Sequence, residues 1–233
     1  MFGIKIIGSS SKGNSYLLKT SEEILLLECG VNYKKILEAL NHDISKVVGC
    51  LVTHEHKDHS GYAKHIAEKG INVYASKGTF DKIGLSSHRT KVVKSEEQFK
   101  AGKFTILPFA TEHDCAEPLG FLIQHPEIGK LLFATDTYYI QYKFTDLNYI
   151  MVECNYSKEI IKENLAAGII SFAQVKRLLK SHLSLERLKD FLKANDLKSV
   201  VRIYLMHLSD NNSHAEDFKI TIEKLTGIPT QIC

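Results

Sequence analysis

Short apolar runs alternate with polar turn residues through the first two thirds of the chain, and this pattern predicts β-strands. The predicted strands are Ile4–Ile7, Tyr16–Leu18, Ile24–Leu27, Val47–Thr53, Val73–Ala75, Phe104–Phe109, Leu119–Gln124, Leu131–Ala134 and Tyr149–Glu153. We also predict two helices: one capped by Asn32 and reaching Leu40, and one from His59 to Lys69, where Gly70 ends it.

The last third of the chain has a different character. Residues 157–195 carry apolar side chains at helical spacing, and a final strand, Val200–Met206, precedes a closing helix over 214–225. Strands that dominate early and helices that dominate late favour an α/β fold with a sheet-rich core wrapped by helices. Because the chain shows no repeat and no linker-like segment, we predict a single domain over residues 1–233.

Composition excludes several classes of protein without choosing a function. The chain has 233 residues, 44% of them hydrophobic, and a formal net charge of only +3, which argues neither for nor against a nucleic-acid partner. No stretch approaches the roughly 18–20 apolar residues of a membrane span, so we expect no membrane partner. The five cysteines are far apart and form no C-x-x-C pair, which argues against a secreted disulfide framework and favours a cytoplasmic location.

A dense group of metal-ligand residues follows the predicted strand that ends at Thr53. His54 and His56 project to the same side of an extended segment, and Asp58 and His59 lie where the chain turns into a helix. A single catalytic zinc ion takes about three protein ligands and a water, so four ligands in six residues favour two adjacent metal ions. A chance surface cluster is the alternative, and the density of ligands argues against it.

The pattern His-x-His-x-Asp-His resembles the signature of the metallo-β-lactamase superfamily, which implies a four-layer αββα sandwich. Three further candidate ligands follow predicted strands in the expected order: His113, Asp136 and His207. The resemblance implies one metal ion bound by His54, His56 and His113. It implies a second metal ion bound by Asp58, His59 and His207, with Asp136 bridging the two.

Several longer segments are similar to the WalJ/YycJ-like branch of this superfamily, a branch proposed to contain 5′-to-3′ exonucleases. They are GSSSKGNSY at residues 8–16, HDCAEPLG at 113–120, ECN at 153–155, SHLS at 181–184 and the ending that starts HLS at 207–209. One departure is Glu28, which stands where the family usually has Asp. Its implied role is to hold the metal-binding loop and to orient a ligand histidine.

The residues that would act on a substrate are less clearly marked. His182 is the best candidate for a contact with a phosphate or leaving group, and the alternative is a histidine at a helix end beside Ser184 as the next helix cap. Asn14 and Asn155 are candidate substrate-binding donors, although we favour a role in turns. A set of basic residues precedes His182 and would face a phosphate backbone, although a solvated helix face is the favoured interpretation. The set is Lys176, Arg177 and Lys180.

The implied chemistry is hydrolysis. Two divalent metal ions can share a hydroxide, formed near neutral pH, that attacks phosphorus or a carbonyl carbon, and Asp58 is a ligand and candidate proton acceptor. We therefore predict a binuclear metal-dependent hydrolase, a phosphodiesterase or exonuclease acting on DNA. Zn and Mn are the expected metals, and the ligands also suit Fe and Co.

Other functions use the same site. A small-molecule phosphodiesterase, for example on cyclic nucleotides, is favoured by the weak net charge. Lactone, thioester or β-lactam hydrolysis would leave His182 without a role. A binding protein with a degenerate site is opposed by the complete set of ligands. The sequence does not indicate an oligomeric state.

Overall fold

The computed structural model describes residues 2–233, which contain thirteen strands and eight helices. In chain order these are β1 (Gly3–Ser10), β2 (Gly13–Lys19), β3 (Ile24–Leu27), α1 (Tyr33–Ala39), β4 (Val47–Leu51), α2 (Lys57–Ser60), α3 (Ala63–Glu68), β5 (Val73–Ala75), α4 (Lys77–Ile83), β6 (Thr90–Val92), β7 (Phe99–Ala101), β8 (Phe104–Ala110), β9 (Leu119–His125), β10 (Gly129–Ala134), β11 (Tyr149–Glu153), α5 (Lys158–Ala166), α6 (Phe172–Ser181), α7 (Leu185–Ala194), β12 (Arg202–Met206), α8 (Ala215–Thr226) and β13 (Thr230–Ile232).

These elements belong to two compact units. The first comprises the described residues up to Ala110 together with Cys115–Gly129, and the second comprises Thr111–Asp114 and Lys130–Cys233. The single domain predicted over residues 1–233 stays a prediction, and its first residue, Met1, lies outside the described residues. No helix within residues 2–233 has both the length and the apolar character required to cross a membrane.

The first unit contains a six-stranded sheet in the order β1-β2-β3-β4-β5-β6. Strands β1, β2 and β3 pair antiparallel, whereas β3, β4, β5 and β6 pair parallel. The central strands β3 and β4 carry leucine, valine and cysteine side chains that pack into one hydrophobic core with α1 and α3. Burial on both faces explains why these strands are continuous apolar runs in the sequence. Strands β7, β8 and β9 of the same unit form an antiparallel meander.

The second unit is built on parallel strands. Strands β10, β11, β12 and β13 pair in that order, and helices α5 to α8 occur in the intervening connections. Each long helix begins at a serine or histidine, and Ser157, Ser171 and Ser184 accept a backbone hydrogen bond from the first turn of α5, α6 and α7. Gly227, with φ of 72°, ends α8 in the left-handed conformation that glycine adopts without strain.

Most predicted strands are present, but the predicted helix from His59 to Lys69 is wrong as a single element. The structure has two short helices, α2 and α3, separated at Gly61 and Tyr62. The Tyr62 amide donates to the Cys29 carbonyl at 2.9 Å, and the Cys29 amide donates to the His59 carbonyl at 2.8 Å. These contacts with the loop after β3 replace helical hydrogen bonds, so a tertiary interaction overrides the local helical pattern.

Further elements are absent from the sequence prediction or differ in extent. The structure adds α4, β6, β7 and β13, and β4 ends at Leu51 instead of Thr53. Strands β6 and β7 have mostly exposed or half-buried side chains. A short strand of this kind lacks the buried apolar run on which the prediction depends.

The loop after β3 approaches the metal-ligand segment so closely that one position must be glycine. A Cβ atom added to Gly30 would lie 1.6 Å from the Asp58 carbonyl oxygen and 2.7 Å from the His59 nitrogen. Both neighbours are backbone atoms of the segment that carries Asp58 and His59, so they cannot rotate away. Gly30 therefore sets the distance between β3 and this segment.

We predict that Gly30→Ala destabilises the protein by about 3 kcal/mol or more, because the added methyl group forces two backbone segments apart. Thermal unfolding should then show a midpoint lower by about 6–12 °C. Gly3→Ala is the matched control, since no atom lies within 4 Å of its added Cβ. An unchanged midpoint in Gly30→Ala would contradict this account of the loop.

Candidate metal centre

The first histidine pair follows β4 in the first unit. His54 is buried, and its Nδ1 lies 2.9 Å from the Thr53 hydroxyl, which fixes the orientation of the ring. The His54 Nε2 and the His56 Nδ1 are 3.1 Å apart. Two imidazole nitrogens this close are oriented toward one another, an arrangement in which both are able to reach a single small cation.

Asp58 and His59 lie on α2, directly after this pair. The His59 Nε2 is 3.3 Å from Asp58 Oδ2, and the His54 and His59 ring centroids are 4.3 Å apart. The first unit therefore brings together all four candidate ligands of the motif. Asn14, a predicted substrate contact, is fully buried here, and its Nδ2 lies 3.1 Å from His59 Nε2 and 3.3 Å from the Asp58 carbonyl. These contacts orient α2, while a contact of Asn14 with substrate stays a prediction.

Glu28 directly follows β3 and is completely buried. Its two carboxylate oxygens accept the Thr53 amide hydrogen at 3.3 and 3.4 Å, and Oε1 lies 3.6 Å from His59 Nδ1. Burial raises the pKa of the Glu28 carboxyl, and the contacts with His59 and Thr53 act in the opposite direction. The carboxylate thus contacts Thr53, at the start of the ligand loop, and His59, a candidate ligand. This placement suits a residue that holds the loop and orients a ligand histidine.

His113 lies in the segment of the second unit that follows β8. Its Nδ1 is 2.8 Å from the Ser181 carbonyl, so this nitrogen donates a hydrogen and leaves Nε2 as the ligand atom. The Nε2 atom faces Asp136 Oδ2 at 3.7 Å. Burial is the largest influence on the ring and lowers the His113 pKa, which favours the neutral form that binds metals.

Asp136 and His207 follow β10 and β12 and are both buried. The Asp136 Oδ1 lies 3.4 Å from His207 Nδ1. Asn155, the other predicted substrate contact, has its Nδ2 at 2.8 Å from the His207 carbonyl and 3.3 Å from His207 Nδ1. Asn155 therefore holds a candidate ligand in place, while its contact with substrate stays a prediction.

Sequence reasoning missed one central residue, Glu153. This fully buried carboxylate ends β11, and its Oε2 accepts the amide hydrogens of Thr137 and Leu183, both at 3.1 Å. Its Oε1 lies 2.5 Å from His182 Nδ1 and 3.3 Å from His207 Nδ1. The available signal was its position, because it ends a buried strand as the candidate ligands do.

His182 is the residue after α6, and its side chain is only 17% exposed. Burial by itself would lower the His182 pKa, but the Glu153 carboxylate outweighs it and raises the pKa above the usual value. The same pairing has the converse effect on Glu153: burial acts to raise the carboxyl pKa, and His182 and His207 hold it below its usual range. The pair therefore favours a protonated His182 beside an ionised Glu153.

Four of these residues converge, and two of them, Asp136 and His207, are the metal ligands that the sequence predicts. Asp136, Glu153, His182 and His207 each offer one ligand atom, and these atoms all lie within 4.8 Å of one another. Neutral imidazoles and carboxylates are the ligands that zinc and other divalent transition metals accept. The predicted site residues thus form two sets, one in each unit, and the donor chemistry of both sets fits divalent metal binding. The first set is Asn14, Glu28, His54, His56, Asp58 and His59, and the second is His113, Asp136, Asn155, His182 and His207.

Comparisons with known proteins agree with the motif. The family model of the beta-lactamase superfamily domain matches residues 25–207. The chain is 29% identical to a Streptococcus pneumoniae protein named exodeoxyribonuclease WalJ, over 92% of this chain and 84% of that protein. It is 27% identical to exodeoxyribonuclease YycJ of Bacillus anthracis, over 94% of this chain and 87% of that protein. The similarity to the WalJ/YycJ-like branch is thereby confirmed.

A solved structure shows the same fold. The metallo-beta-lactamase fold protein YhfI from Bacillus subtilis matches with a TM-score of 0.72 and 14% identity, covering 100% of this chain and 97% of that one. The predicted fold class, the four-layer αββα sandwich of the metallo-β-lactamase type, is confirmed by this likeness. Because the family model covers the strands and loops that carry the ligand motif, the chain belongs to the beta-lactamase superfamily.

Proposed function

We propose that this protein is a metal-dependent hydrolase that cleaves phosphodiester bonds in DNA, with an action like that of a 5′-to-3′ exonuclease. The observation that carries the proposal is the buried His182–Glu153 pair beside His207. A histidine oriented by a carboxylate at Nδ1 presents Nε2 to a phosphate oxygen or a leaving oxygen. The relatives named exodeoxyribonucleases support the substrate class, since they align with more than nine tenths of the chain.

We propose that the two sets of ligands jointly hold two divalent ions. His54, His56 and His113 would bind one ion, Asp58, His59 and His207 the second, and Asp136 would bridge them. Zn and Mn suit these ligands best, and Fe is also compatible. A bound pair of such ions supplies a nucleophile from water near neutral pH and stabilises negative charge on a phosphate.

The chain's own groups complete the proposed chemistry. His182 in its protonated form would pair with a phosphate oxygen or protonate the departing oxygen. Glu153 holds the His182 ring through Nδ1, which leaves Nε2 for the substrate. Asp58 serves as ligand and proton acceptor. Asn14 and Asn155 fix the rings of His59 and His207. The Asn14 Oδ1 accepts the Tyr16 hydroxyl hydrogen, whereas the Asn155 Oδ1 has no hydrogen-bond partner among the described residues and would accept one from substrate.

We predict that the purified protein loaded with Zn or Mn cleaves end-labelled DNA, measured by gel electrophoresis of the products. His56→Ala and Asp136→Ala should abolish cleavage because each removes a ligand, and His182→Ala should lower kcat by about 10²–10⁴-fold because a proton donor is lost. His214→Ala is the control, since His214 is exposed and makes no capping hydrogen bond.

The substrates in this assay separate the competing functions. Intact single-stranded and double-stranded DNA after incubation with metal-loaded protein would refute the nuclease proposal. Preferential hydrolysis of cyclic nucleotides, measured in competition with DNA, would instead show a small-molecule phosphodiesterase, which the net charge of +3 allows.

We further predict about two divalent ions per chain, measured by mass spectrometry of the metals in protein purified with Zn or Mn supplied. His56→Ala should retain about one ion per chain. Asp136→Ala removes the ligand shared by both ions, so the metal content of both ion positions should be lower than in the wild type. His214→Ala should bind as the wild type does. Fewer than about one ion per wild-type chain would indicate a degenerate site.

A further inference from the structure

Helix α6 presents an unusual surface directly before His182. Its ten residues contain three basic side chains, Lys176, Arg177 and Lys180, and no acidic one. Each of the other seven helices in residues 2–233 contains at least one Asp or Glu. The positive charge of the chain is small overall, so its concentration on one helix is a local feature and not a consequence of composition.

Apolar side chains are exposed on the same helix. Phe172 is 72% exposed, the highest value among the large apolar side chains of the described residues, and Leu179 is 40% exposed. Because residues three, four, seven and eight apart share one side of a helix, Phe172 and Leu179 lie on the side that also carries Lys176 and Lys180. We refer to these four residues as the α6 face.

The adjoining side of α6, which carries Val175 and Leu178, accounts for the stability of the helix. Val175 is buried in a small core with Tyr156, Ile161 and Ile170, and Leu178 packs against it. Ser171 and Gln174 form a reciprocal capping box at the start of the helix. The exposed position of the α6 face is therefore compatible with a firmly anchored helix, and the face itself is not needed to fill this core.

The charges of the α6 face are available to a ligand. Lys176 and Lys180 form no ion pair or hydrogen bond in the part of the chain that the structure describes. Arg177, beside the face, lies 3.9 Å from the half-exposed carboxylate of Asp114, a separation at which a surface pair contributes little. Lys180 stands in the last turn, where it offsets the partial negative charge of the helix C-terminus.

The end of α6 connects this surface to the proposed site. The carbonyl of Ser181, its last residue, accepts the His113 Nδ1 hydrogen, and the next residue is His182. Phe172 and Lys180 are about 12 Å apart along the helix axis, given a rise of about 1.5 Å per residue.

We propose that the α6 face binds the single-stranded part of a DNA substrate, with Lys176 and Lys180 at phosphates and Phe172 stacked on an unpaired base. This inference rests on the proposed nuclease function and names the surface that guides the strand to His182. An exposed aromatic ring among cations, on a helix that itself carries no acidic residue, has the combination of stacking and phosphate contacts by which proteins bind single strands. Bases in a duplex are stacked on one another, so Phe172 selects for a single strand.

The test is fluorescence anisotropy of a labelled 20-nucleotide single strand with the protein of residues 1–233, in EDTA so that no cleavage occurs. Phe172→Ala should weaken binding about 5- to 150-fold through loss of base stacking. Lys176→Gln combined with Lys180→Gln should weaken binding and lower the slope of log K against log salt by about 1.4, since a single-strand contact contributes about 0.7. Phe172→Ala should not weaken binding of a blunt duplex to the same degree.

The matched controls come from other helices. Lys189→Gln with Lys193→Gln on α7 removes two lysines at the same spacing, the second also in a last turn, and Ile220→Ala removes an exposed apolar side chain from α8. Both should bind the single strand as the wild type does. Circular dichroism and thermal unfolding of every variant verify that the fold is retained.

A small phosphodiester, bis(p-nitrophenyl) phosphate, separates this inference from the proposed function. We expect the α6 variants to hydrolyse it at the wild-type rate with metal present while their cleavage of long single strands falls. If the wild type cleaves DNA and the α6 variants bind and cleave single strands equally well, the inference fails and the proposed function stands. If the wild type hydrolyses neither substrate, the proposed function fails.

Other occupants of the α6 face would overturn the inference. A wild-type dimer in analytical ultracentrifugation that Phe172→Ala converts to a monomer would show that a second copy of the chain covers the face. Sedimentation of the wild type, but not of the α6 variants, with phosphatidylserine vesicles would assign it to a lipid surface. Absence of single-strand binding by the wild type would equally refute the proposal.

Discussion

Each unit depends on one buried carboxylate that holds histidines and loop backbone at the ends of strands. Glu28 accepts the Thr53 amide hydrogen and faces His59, and Glu153 accepts two loop amides and faces His182 and His207. An ionised carboxylate without partners costs several kcal/mol in a protein interior. Each loop must therefore fold so that it meets its carboxylate, and the histidine rings acquire their orientation from the same requirement.

The two carboxylates differ in their electrostatic balance. The pKa of Glu28 is raised because burial outweighs its contacts, whereas that of Glu153 is lowered because two histidines outweigh burial. Glu28 therefore acts mainly through geometry, as a short tether between β3 and the ligand loop. Glu153 also acts through charge, since it raises the His182 pKa and so favours the proton that the proposed chemistry uses. Glu28 has one methylene group more than the Asp that the family usually has at this position. The longer side chain reaches Thr53 at 3.3 Å and His59 at 3.6 Å.

Much of this arrangement could be predicted from the sequence, because the ligand types occur directly after buried strands. His54, Asp136 and His207 follow β4, β10 and β12, and an apolar run before a polar side chain is visible without a structure. The break between α2 and α3 could not be predicted in the same way, because it depends on hydrogen bonds from Cys29, more than thirty residues away. Glu153 was missed because, in the sequence, an acidic residue at the end of a strand looks like the first polar residue of an ordinary loop. Only the structure shows that it is buried and which residues it contacts.

Backbone strain distinguishes these positions from ordinary strand ends. Glu28, Asp136 and His207 have φ values of 60°, 46° and 54°, in the left-handed region that favours glycine. Each such residue costs on the order of 1–3 kcal/mol and persists only where its surroundings fix the conformation. A glycine would relieve the strain at each position but would remove a carboxylate or imidazole. The hydrogen bonds from Asn155 to His207 and from Thr53 to Glu28 offset this cost locally. The strained backbone turns each side chain sharply at the end of its strand, and that turn directs the carboxylates and imidazoles toward their partners.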